Sequence, residues 1–402
     1  LSGGFKGKLY IVNPRETEIQ GIKVYPTVED LPPVDLGVLA ISSHLCKEAV
    51  DTLVNKKETR AIIIISAGFS EETPEGAIIE NEIIEICNRT GVSLIGPNCI
   101  GLVNKYHHSV FTSPIPELHP QGADLISSSG GTALFVMECG IPKGLRFNSI
   151  WSVGNASQIG VEDVLEYMDI NFNPETDSKI KLLYIENIKA PDQLLYHASS
   201  LIRKGCKIAA IKSGSSESGI RAASSHTGAL ASSDSAVEAL FRKAGIVRCY
   251  SREELATVAC VFTLKEIKGK SFAIVTHAGG PAVILTDALS RGGLNVPAFT
   301  GEKAEELKKK LLPGSAITNP IDILGTGTPK DLATAIDYAE QHFPETESIA
   351  VIFGSTGLGK ISDALDVIRK KTAECSKPIF PILPSVVNAD SEVDEFIHQG
   401  GV

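Results

Sequence analysis

Short apolar runs that alternate with helical patterns constrain this chain more than any other feature of its sequence. Four such runs come first, each ending in turn residues: KLYIVNP (8–14), LGVLAIS (36–42), AIIIISAG (61–68) and VSLIGPN (92–98). Helical patterns lie between them, such as CKEAVDTLVNKK (46–57) and GAIIENEIIEICNRT (76–90). Apolar strands separated by helical crossovers are typical of a parallel sheet covered on both faces. We therefore predict a first domain over 1–120, closed by the Pro-rich segment SPIPELHPQG.

The same alternation continues through two further segments of similar size. Five strand-like runs fall within 121–268: ADLISSSGG, FNSIWSVGN, KIKLLYIEN, KIAAIKSG and GIVRCY. Helices are predicted there at 131–139, 160–169, 191–204 and 233–244. A third series, over 269–402, begins with SFAIVTHAGGPAVILTDAL and continues through SIAVIFGS and KPIFPILPS. The predicted fold class is α/β, with three consecutive doubly wound parallel-sheet domains.

Bulk properties exclude several classes of function. The chain has 402 residues, enough for two or three domains, and a formal net charge of −10 that argues against a nucleic-acid-binding surface. No run approaches the ~18 apolar residues of a membrane span, and no signal peptide is visible. The eight cysteines are scattered without a CxxC pair. We therefore predict no metal site and no disulfide framework, and we expect the chain in a reducing cytoplasm.

Three strand-to-helix turns are rich in glycine and small hydroxyl residues: SSSGGTALFV (127–136), HAGGPAVILTDAL (277–289) and GTGTPKDLATAI (325–336). Each turn offers unpaired N–H groups and the positive end of a helix dipole to an anion. Close packing of helix on strand would explain one such turn equally well, whereas three in one chain favour phosphate binding. None fits GxxxxGK[ST], so a P-loop is not indicated.

A lone histidine, His226, lies among small residues in SSHTGALASSD (224–234). A single histidine is most often structural, but these neighbours leave its imidazole unshielded. His277 opens the second glycine-rich turn and is the other candidate; a loop role is favoured for it because no acidic partner at a strand end is obvious. We expect His107 and His108 to lie in a polar, solvated loop.

Five segments in order resemble the α subunit of succinyl-CoA synthetase: GPNCIG (96–101), SSSGG (127–131), SVGN (152–155), YIEN (184–187) and SSHTGALASSD. The match is closer to the NDP-forming acyl-CoA synthetases, also called ADP-forming acetate–CoA ligases, whose phosphohistidine segment resembles SHTGAL followed by AGIVR (244–248). HAGGPAVILTDAL and TNPIDILGTGTP resemble a further domain of that family, which sits on the β subunit in succinyl-CoA synthetase. The resemblance implies an N-terminally incomplete, Rossmann-like CoA-binding domain at 1–120. Two flavodoxin-like ligase domains would follow, at 121–268 with the phosphohistidine and at 269–402.

The resemblance also implies roles for individual residues. His226 matches the histidine that carries a phosphoryl group between active sites, and Glu186 matches the acidic residue that orients it. Two helix N-termini would hold phosphate through Ser128, Ser129, Gly130, Gly131, Gly327 and Thr328. CoA would be bound by Ser42, Ser66, Ala67, Gly68, Asn98 and Cys99.

The implied reaction converts acyl-CoA, phosphate and ADP reversibly into carboxylic acid, CoA and ATP, through an acyl phosphate and a phosphohistidine. Neutral imidazole is a nucleophile at neutral pH, and a carboxylate would fix its tautomer. The family's first strand with its glycine-rich CoA loop is missing from the sequence, so we expect residues before Leu1. The ATP-grasp domain is missing too. We expect it on a β subunit or on removed sequence, where it would bring ATP or ADP and Mg²⁺, and we expect a homo- or hetero-oligomer that binds neither nucleic acid nor membrane.

Two alternatives compete with a ligase. A non-catalytic, acyl-CoA-binding regulatory module is known in scaffolds of this type fused to a protein acetyltransferase, and such modules are expected to lose the histidine that His226 matches. A Ser/His hydrolase using Ser128 or Ser129 is disfavoured because the sequence lacks GxSxG.

Overall fold

The computed structural model describes residues 5, 7–227, 233–355, 357, 359–385 and 387–402, with the backbone alone for 223–227. The chain divides into two compact units, one of Leu1–Ile141 with Leu145–Ala259 and one of Pro142–Gly144 with Cys260–Val402. Strands and helices alternate in mostly parallel sheets, which confirms the predicted α/β class. The finer division into three domains stays a prediction. Among the described residues, no helix is both long and apolar enough to cross a bilayer.

The first unit contains three sheets and most of the helices. Its strands are β1 Ile11–Val12, β2 Glu18–Ile19, β3 Ile22–Tyr25, β4 Leu36–Leu39, β5 Ala61–Ile64, β6 Ser93–Ile95, β7 Gly101–Asn104, β8 His107–Val110, β9 Leu118–Ser127, β10 Phe147–Ser152, β11 Ile180–Ile185, β12 Lys207–Lys212 and β13 Val247–Cys249. Its helices are α1 Ser43–Lys56, α2 Pro74–Thr90, α3 Gly130–Gly140, α4 Val161–Ile170, α5 Pro191–Arg203, α6 Glu217–Thr227, α7 Asp234–Ala244 and α8 Arg252–Thr263, which runs on into the second unit.

Local sequence signals set the helix ends. At the start of α2, the Thr73 side chain accepts a hydrogen bond from Gly76 N at 2.9 Å, and Pro74 occupies the first turn, where its missing N–H is not needed. The same helix stops at Gly91, whose φ of 72° is the left-handed conformation that glycine adopts most easily.

The three sheets of the first unit differ in strand direction. Strands β4, β5 and β6 form a parallel sheet, and a small sheet in the order β1-β3-β2 pairs β2 with β3 antiparallel. The largest sheet has the order β13-β12-β11-β9-β10-β7-β8. Its first five strands are parallel, β7 is antiparallel to β10, and β8 is antiparallel to β7.

The hairpin of β7 and β8 differs from the sequence expectation. His107 and His108 were expected in a polar loop, but both lie in β8, where they pair with Asn104 and Val103. The cause is a tight turn, in which Asn104 Oδ1 accepts from Tyr106 N and His107 N, each at 2.9 Å. Burial, followed by the charge of His108, lowers the pKa of His107 below its ordinary value. The expected loop was therefore wrong for both residues, and His107 is half-buried, whereas His108 is exposed as expected.

The core of the seven-stranded sheet follows from its apolar strands. Leu183, Ile185 and Ala210 are fully buried beneath α4, α5 and α7. Each leucine or isoleucine buried in this way contributes about 1.5–3 kcal/mol. The polar residues that follow these strands therefore lie in loops at the carboxyl edge of a rigid sheet.

The second unit holds a parallel four-stranded sheet in the order β15-β14-β16-β17. Its elements are β14 Phe272–Thr276, α9 Gly279–Arg291, α10 Glu302–Lys310, β15 Ile321–Asp322, α11 Pro329–Gln341, β16 Ser348–Ile352, α12 Ser362–Glu374, β17 Ile379–Ile382 and α13 Asp390–His398.

Candidate functional site

The SSSGG turn joins β9 to α3 and presents backbone donors. Ser129 is the N-cap of α3, and its side chain accepts from Thr132 N at 3.2 Å. Ser129 N donates to Ser127 Oγ at 3.1 Å, and Ser128 N donates to Tyr184 O at 3.0 Å. Within the described residues, the N–H groups of Gly130 and Gly131 have no acceptor. This arrangement suits an anion at the start of α3.

The GPNCIG loop lies directly against that turn. A methyl group on Gly130 would overlap Ile100 Cγ2, so only glycine allows this approach, whereas the space beside Gly131 is open. Ile100 N donates to Ser152 Oγ at 3.1 Å, which ties the same loop to the end of β10. The predicted thioester position and the predicted phosphate position are therefore neighbours.

Three of the predicted CoA-binding residues lie at the ends of β5 and β6. Ser66, which is half-buried, accepts from Asn98 N at 2.9 Å. Cys99 is buried, its Sγ donates to Ile64 O at 3.3 Å, and burial raises the pKa of its thiol to about 11. Cys99 is thus a protonated core thiol at neutral pH rather than a nucleophile.

The other three predicted CoA-binding residues lie in neighbouring loops. Ser42 is the exposed N-cap of α1, and no side-chain hydrogen bond caps that helix. Ala67 is exposed, whereas Gly68 is half-buried with a positive φ of 96°. Gly68 N already donates to Glu71 Oε1 at 2.8 Å, so its amide is engaged within the chain.

A group of polar side chains that the sequence reasoning missed links these loops. Asn155, after β10, contacts Glu71, Glu80 and Asn98. Its neighbour Gly154 has a φ of 57°, and a methyl group there would overlap Pro97 O. The signal available in the sequence was the Gly-Asn pair that closes the strand run FNSIWSVGN.

Glu186 follows the last residue of β11, as expected, and is half-buried. Burial raises the pKa of the neighbouring Tyr184 phenol above its ordinary value, and the Glu186 carboxylate adds to that rise. His226 lies near the end of α6, and its side chain is outside the described residues. The structure therefore places Glu186 at the carboxyl edge of the sheet but does not place the imidazole.

Lys212, which ends β12, is a second residue that the sequence reasoning missed. It is 4% exposed, and its ammonium donates to Ser213 O at 2.6 Å. Burial lowers the pKa of Lys212 below its ordinary value, while the charges of Asp234 and Glu186 oppose that shift. A charged residue at the end of the apolar run KIAAIKSG was the sequence signal.

The predicted phosphate residues Gly327 and Thr328 lie at the start of α11 in the second unit. Gly327 N donates to Leu324 O at 2.9 Å. Thr328 N and Thr328 Oγ1 both donate to Asp331 Oδ2, at 2.8 and 2.6 Å, and Asp331 N donates back to Thr328 Oγ1 at 3.2 Å. The Asp331 carboxylate thus occupies the anion position of this helix. The spacing TPKD is the sequence signal for such a capping box.

His277 directly follows β14 and packs against an aromatic ring. Its imidazole lies 4.4 Å from the Phe353 ring between centroids, and its Nδ1 has no hydrogen-bond partner within the described ranges. In the part of the chain that the structure describes, no group of three or more His, Cys, Asp or Glu residues could hold a metal ion.

Two protein-family models match the chain. Residues 2–105 match the CoA binding domain, and residues 120–262 match the succinyl-CoA ligase like flavodoxin domain. Together with the parallel sheets and the glycine-rich turn at α3, these matches define the class of succinyl-CoA ligase-like proteins.

Curated relatives narrow the class. The α subunit of ADP-forming acetate–CoA ligase II from Pyrococcus furiosus is 34% identical over 328 residues, which are 81% of this chain and 70% of that subunit. The α subunit of ligase I from the same organism is 30% identical over 410 residues, 99% of this chain and 86% of that subunit. The chain belongs to the family of ADP-forming acetate–CoA ligases, which confirms the resemblance seen in the sequence.

A solved structure agrees with this assignment. The dinucleotide-forming acetyl-coenzyme A synthetase 1 of Candidatus Korarchaeum cryptofilum, in complex with phosphate and ADP, has a TM-score of 0.86 and 26% identity, over 100% of this chain and 86% of that one. The ADP-forming acetate–CoA ligase I of Archaeoglobus fulgidus is 34% identical over 87% of this chain. The chain spans 49% of the length of that relative.

Proposed function

We propose that this chain is the acyl-transfer half of an NDP-forming acyl-CoA synthetase. It would convert acyl-CoA and phosphate to acyl phosphate and CoA, and then pass the phosphoryl group through a histidine toward ADP. The observation that carries this proposal is the contact between the GPNCIG loop and the SSSGG turn, at Ile100 and Gly130.

We place the phosphate at the start of α3. Gly130 and Gly131 supply two N–H groups that have no acceptor within the described residues, and the helix dipole favours negative charge there. Ser128 and Ser129 complete the turn. The second predicted position, at Gly327 and Thr328, stays a prediction, since a phosphate there would have to displace the Asp331 carboxylate.

The first step needs the thioester carbon within reach of a phosphate oxygen. Asn98 and Cys99 mark the thioester end of CoA in this proposal, and Ile100 joins them to the phosphate turn. A phosphate oxygen forms a bond to the carbonyl carbon, the C–S bond breaks, and the thiolate leaves to take a proton as free CoA. The protein contributes by positioning both groups and by stabilising the added negative charge.

The second step transfers the phosphoryl group to His226. An imidazole nitrogen forms a bond to phosphorus, the P–O bond to the acyl group breaks, and the carboxylate leaves. Glu186 would accept a hydrogen bond from the N–H of the other ring nitrogen and so fix the tautomer. Its position after β11, near the buried Lys212, supports a charged role at this edge of the sheet.

The remaining components belong to the same proposal. Ser42, Ser66, Ala67 and Gly68 would hold the rest of CoA, within a CoA-binding domain over 1–120. The domains at 121–268 and 269–402 would carry the ligase chemistry. An ATP-grasp domain or β subunit would bind ADP or ATP with Mg²⁺, in a cytoplasmic homo- or hetero-oligomer.

Reconstitution tests the proposal. The purified chain, mixed with an ATP-grasp subunit of the family, acetyl-CoA, phosphate, Mg²⁺ and ADP, should produce ATP and free CoA. Omitting the ATP-grasp subunit or phosphate should abolish ATP formation. ATP formation by the chain alone would contradict the proposed division of labour, and failure to release CoA from acetyl-CoA in the complete mixture would contradict the proposed activity.

A further inference from the structure

Asn155 joins three loops at the carboxyl edges of two sheets. Its Nδ2 donates to Glu71 Oε2 at 2.5 Å and to Glu80 Oε2 at 3.2 Å. Its Oδ1 accepts from Asn98 Nδ2 at 3.4 Å, and its backbone N–H donates to Pro97 O at 3.0 Å. One amide side chain thus connects the loop after β5, the GPNCIG loop after β6 and the loop after β10.

The orientation of this amide follows from its partners. Ionised carboxylates accept hydrogen bonds but cannot donate them, so the NH₂ group of Asn155 must face Glu71 and Glu80. Its oxygen is then left for Asn98. An aspartate at this position would keep the acceptor toward Asn98 but would set a third carboxylate against the other two.

Glu80 depends on such donors because it is buried. Its side chain is 7% exposed, and it accepts from Ser70 N at 3.0 Å and from Ser157 Oγ as well as from Asn155. A buried carboxylate without enough donors is strongly destabilised. The carboxylate therefore fixes the relative positions of the two loops that supply those donors.

The opposite side of the GPNCIG loop faces the phosphate turn. Ile100, two residues after Asn98, contacts Gly130, so a displacement of this loop on the Asn155 side changes the spacing on the phosphate side. A misplacement of about 1 Å in a reacting geometry can reduce a rate by about 10²-fold.

We propose that Asn155 is a positioning residue, which holds the GPNCIG loop at the distance from the SSSGG turn that attack on the thioester requires. This inference rests on the proposed function. Asn155 acts through Glu71, Glu80 and Asn98 and has no required contact with the substrate.

Asn155→Asp isolates the donor, because it preserves the size of the side chain and the acceptor toward Asn98. The phosphate-dependent kcat for acetyl-CoA, measured with the ATP-grasp subunit and ADP, should fall about 10²-fold. The dissociation constant for CoA, measured by calorimetry, should stay within about threefold, since an interaction that acts on the reacting geometry lowers kcat without weakening binding. Asn81→Asp is the matched control, because it adds the same charge at an exposed position of α2, next to Glu80 in sequence, and should leave both quantities unchanged.

A second substitution tests the pairing directly. Glu71→Gln, added to Asn155→Asp, places an NH₂ donor where the side chain of residue 71 faces residue 155. The remaining amide oxygen at residue 71 can still accept from Gly68 N. Because contacting residues are energetically coupled, the double variant should recover kcat by about tenfold over Asn155→Asp, which corresponds to a coupling of about 1.4 kcal/mol. If Asn155→Asp does not fold, Glu71→Gln alone serves, and it should lower kcat at unchanged CoA affinity.

The outcomes separate this inference from the proposed function. If the unaltered chain neither binds CoA nor consumes acetyl-CoA, the proposed function is wrong. If the unaltered chain is active and Asn155→Asp matches either the parent or Asn81→Asp, the positioning role is wrong. Equal losses of kcat and of CoA affinity would make Asn155 a binding residue and would also overturn the inference.

Discussion

The substitution Gly130→Ala tests the contact on which the proposed site depends. The new methyl group would overlap Ile100 Cγ2 and would lie 3.3 Å from Ile100 Cβ. Rotation of the Ile100 side chain would still leave its Cβ at 3.3 Å, so the α3 turn and the GPNCIG loop must move apart. Inserting a methyl group into a filled space costs about 1–3 kcal/mol. At roughly 2–4 °C per kcal/mol for a unit of this size, the melting temperature should fall measurably.

The same displacement moves the N–H groups that would face phosphate. A hydrogen bond to a charged group contributes about 1.5–3 kcal/mol, so loss of one should weaken phosphate binding by about 10- to 100-fold. Thermal unfolding by circular dichroism gives the stability change, and calorimetric titration with inorganic phosphate gives the affinity. Gly131→Ala is the control for the thermal measurement only, because nothing in the chain lies within 4 Å of its added methyl group. It should raise helix stability by about 0.5–1 kcal/mol.

Ile100→Ala completes a double-mutant cycle. Removing the atoms that collide should make the double variant more stable than the sum of the single changes, with a coupling of about 0.5–3 kcal/mol. Equal melting temperatures of Gly130→Ala and Gly131→Ala, or strict additivity in the cycle, would refute the close approach of the two loops.

Two further predictions concern stability. Lys181 and Asp124 form a buried ion pair at 2.5 Å, and their side chains are 2% and 4% exposed. Lys181→Met leaves the carboxylate without its cation, so the free energy of unfolding in urea should fall by about 3–5 kcal/mol. Changing both residues to apolar ones should recover most of that loss. A Lys181→Met chain as stable as the parent would contradict this prediction. Burial raises the pKa of five thiols above their ordinary value of 9.0. The pKa of Cys249 rises to about 12, and a pKa of about 11 is reached by Cys46, Cys87, Cys99 and Cys375. Because the folded chain holds these protons more tightly, their stabilising contribution is complete below about pH 9 and is lost as the pH rises through 11. Urea unfolding at a series of pH values should show this decline, and a flat profile would contradict it.

The sequence predicts those parts of the fold that local rules control. Thr73 with Pro74 and Thr328 with Pro329 mark the starts of two helices, and the apolar runs mark the parallel strands. The hairpin at 101–110 was not predicted because each strand has only four residues, β8 (HHSV) is mostly polar, and β7 is held by pairing with β10.

The candidate site shows the same division between local and distant effects. The SSSGG turn could be predicted because strand, turn and helix start are contiguous. The role of Asn155 could not, because its carboxylate partners lie 75 and 84 residues away in sequence. The hydrogen bonds between Thr328 and Asp331 are local and could be predicted from the spacing TPKD. They compete with the phosphate role predicted for the same turn.

Phosphoenzyme formation tests the central claim most directly. The chain, incubated with acetyl-CoA, radiolabelled phosphate and an ATP-grasp subunit, should acquire an acid-labile label that maps to His226. His226→Ala should lose the label while retaining CoA binding, and Glu186→Gln should slow labelling by about 10²–10⁴-fold, as expected for a lost orienting group. Persistence of an acid-labile label in the His226→Ala chain would contradict the account, and His277 would then be the residue to replace.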